Sequence, residues 1–509
     1  MKPLHLSLLA AALVAAFPVA HACTTIIVGN KATNDGSIII ARNNDSGGPD
    51  DVQNMASIAP RKAAAVFRSN SIQNDNNNRF TWKMPPGALG YVAFPHWQSM
   101  GKPNLSFEET GVNDYGIALS ATETILNGEK ALAADPYLEA TGVTEDAITS
   151  IILPYATSAK GGVRLLGNVI EQSGAGEGFG VAFSDRNEAW YLETSAGHHW
   201  VAARIPPASF FVSANQGRLQ QIVPDDPMNF LASPGLFEFA EKNGLYEPKA
   251  GPFNQFACCI SNTDHDRTYN HPRVRALLKQ LGNVDAGDAG RFPVFVEPPR
   301  KLSVADVIAA LRNHFAGTAH DAYERKNPQE PDRPVSVYRT SMSHVTQTRA
   351  DVPDDLSVIQ FIAVGFTDLA VYVPFYKGLG KLPDTYQGGT NRIDDRSIFW
   401  RYRRLQALAL QDYPRFAPRV HRAIAELEQS ITQRQAKMES EYLVLIRKEP
   451  KAAKAKIQRF TDAVLLEQDR LLDRLTRETA KALGLQQMGN DAMEKLIRDT
   501  EKRYHFHGA

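Results

Sequence analysis

Cysteine is scarce, three in a chain of 509 residues, which is too few for a disulfide framework, so stability has to come from packing. An excess of one charge is also lacking, with 56 basic side chains against 56 acidic ones. Phosphate binding needs clustered, uncompensated Lys and Arg, so nucleic acid is excluded as the main partner. No apolar run reaches the about 20 residues of a membrane-spanning helix, which argues against stable membrane insertion. G-x-S-x-G is missing, and with it any support for a serine α/β-hydrolase. Neither H-E-x-x-H nor C-x-x-C occurs, His198-His199 and the terminal H-F-H (505–507) lack metal-ligand spacing, and G-A-G-E-G-F-G (174–180) is not G-x-G-x-x-G. No metal and no cofactor is expected. What remains, at 43% hydrophobic and 22% charged, is an ordinary globular chain with room for about two to four domains.

Residues 1–22 read as a secretory signal: Lys2 at the positive end, an apolar run over 6–17, and Ala20-His21-Ala22 as an A-x-A cleavage site. The expected protein is exported, to a periplasm or outside the cell, and begins at Cys23. Three readings of Cys23 compete. A lipid-modified cysteine usually has Leu three residues before it and a small residue two before, where this chain has Ala20 and His21. The cysteine can also be incidental. The third reading is an N-terminal nucleophile, whose own α-amine, with a pKa of about 7.7–8.0, serves as general base.

The neighbouring sequence bears on that choice. T-T-I-I-V-G-N (24–30) and S-I-I-I-A-R (37–42) are rich in β-branched residues and flank K-A-T-N-D-G (31–36), a turn signal. An antiparallel hairpin is expected. If Asn30 faces Gly36, Cys23 faces Asn43, and Arg42, Asn43 and Asp45 cluster around the new N-terminus. A guanidinium there favours the thiolate, and a carboxylate can accept a hydrogen bond from the α-amine and orient it. The plainer alternative is a surface ion pair at a hairpin end.

C-T-T-I-I-V-G-N, D-G-S and A-R-N-N-D together resemble the start of the secreted dipeptidases of the dipeptidase A family, a branch of the N-terminal-nucleophile (Ntn) hydrolases. More distantly they are similar to the choloylglycine-hydrolase and penicillin V acylase branch. The resemblance continues through G-V-N-D-Y-G-I-A-L-S-A-T-E-T (111–124), E-A-W-Y-L-E-T (188–194), H-H-W-V-A-A-R-I-P (198–206), V-S-A-N-Q (212–216), S-H-V-T-Q-T-R (343–349) and Y-V-P-F-Y (372–376). It implies an α+β fold, a four-layer αββα sandwich of antiparallel sheets, and a cysteine-type dipeptidase acting on small peptides.

The resemblance also implies further site residues. Asn215 takes the part of an oxyanion-hole donor, with a strand-end Asn satisfying a turn as the alternative. Thr122 aligns with a position that holds Asn or Tyr in the acylases and departs from that pattern. Arg273 aligns with an active-site arginine, although H-P-R-V-R-A-L-L also reads as the exposed first turn of a helix. Cys258 and Cys259 are expected not to bridge each other and to serve as core packing.

Residues 23–392 are expected to form the catalytic domain, with many short strands and inserted helices, one over 304–315 capped by Ser303. Residues 393–509 form a helical region. There Val420, Ile424, Leu427, Ile431, Met438, Tyr442 and Leu445 make one helical stripe, Glu449-Pro450 breaks it, and Ile457, Phe460, Val464, Leu471 and Leu475 make a second. Two long antiparallel helices follow, packed on each other and on the main domain or on a second copy, so a homo-oligomer stays open. The functional alternatives are an Ntn amidase acting on N-acylated small molecules, of the penicillin V or bile-salt acylase kind, and a lipid-anchored protein with no enzymatic activity.

Overall fold

The computed structural model describes residues 23–45, 48, 50–69, 78–102, 104–287, 290–324 and 332–504. The expected signal segment 1–22 and the histidines of 505–507 lie outside the described residues. The protein is α+β, with antiparallel sheets and C-terminal helices.

One sheet has six strands, in the spatial order Phe210–Ser213, Thr24–Val28, Ile38–Asp45, Thr340–Thr348, Val358–Val364 and Val373–Tyr376. A second has eight, and its centre runs Ala189–Thr194, Phe179–Ser184, Ala118–Thr124 and Thr110–Asn113; a small third sheet pairs Ala65–Arg68 with Thr81–Met84. Ile27, Ile38 and Ile40 of the first sheet share a buried core with Ala182, Tyr191 and Val201 of the second, so the two sheets face each other. The alternate residues Ile26, Val28, Ile39 and Ala41 pack on Val274 and Leu277 of helix His271–Gly282 and on Val307 and Leu311 of helix Val304–Leu311. On the far side of the second sheet, Leu119, Val181 and Leu192 meet Ile148 of helix Glu145–Ile152 and Leu166 of helix Ala159–Ser173. Both faces of each central strand are therefore buried, which is why T-T-I-I-V and I-I-I-A carry no polar alternation.

The expected hairpin forms, with a register one residue away from the expected one. Thr24 pairs with Asn43 and Val28 with Ile39, so Cys23 stands opposite Asn44. The shift arises in the turn. Asp35 Oδ1 accepts from the Ser37 amide (3.1 Å) and hydroxyl (2.6 Å), Thr33 Oγ1 donates to the Ser37 carbonyl (2.6 Å), and Gly36 takes φ +77°. Ser37 is thereby held in the turn, and the second strand starts at Ile38.

Ser303 and Asp306 form a capping box on the helix expected over 304–315, which ends at Leu311; the Asn313 side chain then accepts from the Phe315 amide and turns the chain. Beyond residue 392 the two long helices are Tyr413–Leu445 and Pro450–Leu483, flanked by Ile398–Ala409 and Asn490–Arg503. Every residue of the two expected stripes is buried except Leu445, which is partly so. Pro450 starts its helix at the first position, where its missing N–H costs nothing. The hairpin is tied to the sheets through Glu428, which accepts from Arg312 Nη1 (3.0 Å), Arg312 Nη2 (2.6 Å) and the Tyr372 amide (2.9 Å).

One expectation is corrected. Cys258 and Cys259 are joined by a disulfide at the end of the short helix Gln255–Cys259. The bond closes between neighbours in sequence whose Cα atoms are 3.7 Å apart. The chain leaves the helix at Ile260, where the backbone turns extended, and both cysteines stay buried in the core, as expected.

Candidate active site

Cys23 immediately precedes the strand Thr24–Val28, is buried, and is the free cysteine among the described residues. Its Sγ donates to Asn44 Oδ1 at 3.6 Å, and Asn44 Nδ2 donates in turn to Ser341 Oγ at 2.9 Å. The one-residue register shift decides the company of each side chain. Thr25 pairs with Arg42, so Cys23, Thr25, Arg42 and Asn44 point between the two sheets, while Thr24, Asn43 and Asp45 point toward the helices.

On the inter-sheet side, Arg42 is buried and its Nη2 donates to the Glu109 carbonyl (3.0 Å) and to the Glu109 carboxylate. Burial pushes the Cys23 thiol well above its ordinary pKa, and the Arg42 charge is the largest influence pulling it back. Thr25 Oγ1 donates to Glu123 Oε1 at 2.6 Å, and burial raises the Glu123 carboxyl to about 7. His344, in register with Arg42, joins the sheets through Ser120 Oγ at 2.9 Å; burial, and then the Arg42 charge, lower its pKa well below the ordinary value, so it stays neutral.

On the helix side, Arg273 is the hub. It stands in the first turn of helix His271–Gly282, and the exposed position read from the sequence is corrected: the side chain is fully buried, because the helix turns this face onto the sheet. Its Nη1 donates to the Cys23 carbonyl (2.6 Å) and Thr24 Oγ1 (3.0 Å), and its Nη2 to Asn215 Oδ1 (2.9 Å) and Asn270 Oδ1 (2.7 Å). Nε donates to the Tyr269 carbonyl at 2.9 Å, and the guanidinium lies over the Tyr269 ring. Burial and the like charge of Arg333 lower it to about 9, so it remains a cation at neutral pH.

Asn215 follows the strand Phe210–Ser213, which pairs with the Cys23 strand. With Oδ1 held by Arg273 and its backbone pinned by Asn270 on both N–H (3.0 Å) and carbonyl (3.2 Å), the amide has one orientation, with Nδ2 turned away from the guanidinium. Asp45 is buried on the helix side, where its carboxylate accepts from Arg333 Nη2 and Thr340 Oγ1. The side chain of Thr122 lies outside the described residues; its backbone forms an irregularity in the pairing of Ala118–Thr124 with Phe179–Ser184.

The structure thus gathers Arg42, Asn215 and Arg273 around Cys23 and places Asp45 behind the same strand end. Reading the sequence missed Asn44, Glu109, Glu123, Asn270 and Arg333. Asn44 stands inside R-N-N-D and Glu123 inside A-T-E-T, but the expected register puts Asn43 opposite Cys23, and the resemblance points to Thr122. Arg333 lies in a loop with no periodicity, and no local signal marks it. Among the described residues no group of His, Cys, Asp and Glu is arranged to hold a metal ion.

Comparison with known proteins places the chain among peptidases. The family model for peptidase family C69 matches residues 22–426, which runs past the sheets into the first long helix. The chain is 48% identical over 365 residues to a probable dipeptidase of Salmonella dublin, covering 70% of this chain and 81% of that protein. It is 32% identical over 402 residues to a probable dipeptidase of Latilactobacillus sakei, covering 78% and 82%. To dipeptidase A of Lactobacillus helveticus it is 30% identical over 389 residues, covering 74% and 80%.

Proposed function

The chain belongs to peptidase family C69 and is a hydrolase of the cysteine peptidase type, and from that premise we propose that it is an exported dipeptidase whose nucleophile is the N-terminal thiol of Cys23. The single observation that carries the reading is the Arg273 hub, which joins the Cys23 carbonyl to the Asn215 amide through one buried guanidinium. The helix–sheet–sheet–helix order supports the Ntn-hydrolase sandwich. The leader over 1–22 supports export, and no described helix is long and apolar enough to cross a membrane.

The mechanism follows from the residues. Removal of 1–22 frees the Cys23 α-amine, which takes the thiol proton. Arg42 stabilises the resulting thiolate by charge, against the pull of burial. The sulfur attacks the scissile carbonyl carbon, a C–S bond forms, and the carbonyl oxygen becomes an oxyanion facing the Asn215 amide. One such donor is worth about 2.7–4 kcal/mol in the transition state. The ammonium of Cys23 gives its proton to the departing amine as the C–N bond breaks. Water then attacks the thioester with the α-amine as base, and the first amino acid leaves. Arg273 and Asp45 act as positioning groups, Arg273 by fixing Asn215 and the Cys23 carbonyl, Asp45 by holding the strand end from behind.

The test is turnover of unmodified dipeptides by the exported protein, with its N-terminus determined by mass. The expected result is a chain starting at Cys23 that cleaves dipeptides, and a Cys23→Ala protein at least about 10³-fold slower. Full activity in Cys23→Ala overturns the nucleophile. Cleavage of penicillin V or conjugated bile acids with no cleavage of dipeptides overturns the substrate class.

A further inference from the structure

Glu123 is the unexplained charge at this site. Its side chain is buried, Oε1 is held by Thr25 Oγ1 at 2.6 Å, and Oε2, also buried, has no hydrogen-bond partner among the described residues. An orphaned carboxylate oxygen in the interior is costly, and no hydrogen-bond donor among the described residues relieves it. The nearby cations are engaged elsewhere, Arg42 with Glu109 and Arg273 with Cys23, Thr24, Asn215 and Asn270.

The backbone is built to put the carboxylate there. Ala121 pairs with Val181, and both belong to the outer core under the helices. In a regular strand Glu123 would share that apolar face. Thr122 is an extra residue in the pairing, so Glu123 comes opposite Gly180 and turns inward, onto the face of Thr25 and Cys23. Cys23 and Thr25 are two residues apart on one extended strand, about 7 Å, so the carboxylate sits beyond the sulfur, on the side away from the chain start. Burial is the main cause of its raised pKa, and Arg42 is among the charges that oppose it.

We propose that Glu123 is a specificity residue that binds the α-ammonium group of the substrate's first amino acid. In a dipeptide the ammonium nitrogen is bonded to the carbon next to the scissile carbonyl, about 2.5 Å from the attacked atom. A carboxylate on the nucleophile's own face, just past the sulfur, meets that group when the carbonyl lies over Sγ. Bound there, the ammonium gives Oε2 its missing donor and a counter-charge. This deepens the dipeptidase reading and rests on it. It makes the enzyme demand a free amino terminus.

The experiment compares kcat/KM for alanyl-alanine with that for propionyl-alanine, which differs in having hydrogen in place of the ammonium, in the wild type and in Glu123→Gln. The wild type should prefer the alanyl substrate by about 30- to 100-fold. Glu123→Gln should lose about that factor on alanyl-alanine, chiefly in KM, and be unchanged on propionyl-alanine. Equal losses on both substrates mean a general role, such as orienting the Cys23 amine, and overturn the inference. So does a preference that survives in Glu123→Gln. The wild-type ratio needs no variant to fold: cleavage of both substrates equally well ends this inference and leaves the hydrolase standing. Cleavage of neither ends the dipeptidase reading and this inference with it.

Discussion

At the end of the first hairpin Arg42, Arg273 and Arg333 are fully buried, and their partners are Glu109, Cys23, Asn215 and Asp45. On the C-terminal helices Arg419 and Arg434 pair with Glu478 and Glu467, all of them partly or largely exposed. The same side chain is used in opposite ways. A solvated pair contributes about 0–1 kcal/mol, and salt screens it. A buried guanidinium that loses its partner leaves an uncompensated charge, at about 3–5 kcal/mol. The helices are therefore held by their apolar stripes and tolerate changes in charge. The hairpin end is held by a polar network in which each member fixes the next, as a site needing one geometry requires.

The sharpest break in this contrast is Arg273→Ala. It removes the donors to the Cys23 carbonyl and the Asn215 amide together, and should lower kcat by about 10²–10³-fold and stability by about 3–5 kcal/mol, read by dipeptide kinetics and urea unfolding. Asp45→Asn, which leaves Arg333 without its carboxylate, should cost about as much stability with a smaller loss of kcat. Ile457→Ala, in the buried stripe of the second long helix, should cost about 2–5 kcal/mol and leave kcat/KM of the folded protein within about twofold. Arg434→Ala should change stability by less than about 1 kcal/mol and activity not at all.

A pH comparison of wild type and Glu123→Gln sharpens the same point. The Glu123 carboxyl titrates near 7 in the folded protein and near its ordinary value of about 4.5 unfolded. The folded state thus holds a proton that the unfolded state has released. Stability from this group is full below the unfolded pKa and falls as pH rises toward 7, by up to about 3 kcal/mol. Glu123→Gln should gain on the wild type over that window in urea titrations at pH 5 and pH 8. A constant difference at both pH values contradicts the raised carboxyl.

The same division explains what was legible in the sequence. The helix hairpin was readable because its rule is local: Val420, Ile424, Leu427 and Ile431 repeat at helical spacing, and Pro450 marks the break. Paired strands were readable from β-branched runs and turn residues, and Cys23, Arg42 and Asp45 from their spacing around one turn. The register was missed by one residue because it depends on Asp35 and Thr33 holding Ser37 inside the turn. Arg333 and Asp45 are 288 residues apart, and no periodicity connects them. Glu123 was hidden by the extra residue in its strand, since alternation alone assigns it to the other face.

The central claim is that the Cys23 thiol, with its α-amine unblocked, performs the attack. It is tested most directly by titrating the exported protein with iodoacetamide while following dipeptide hydrolysis and mapping the adduct by mass. The prediction is a single adduct on an N-terminal Cys23, with activity falling in proportion to the fraction modified. Full hydrolysis by protein carrying the adduct on Cys23 would contradict it.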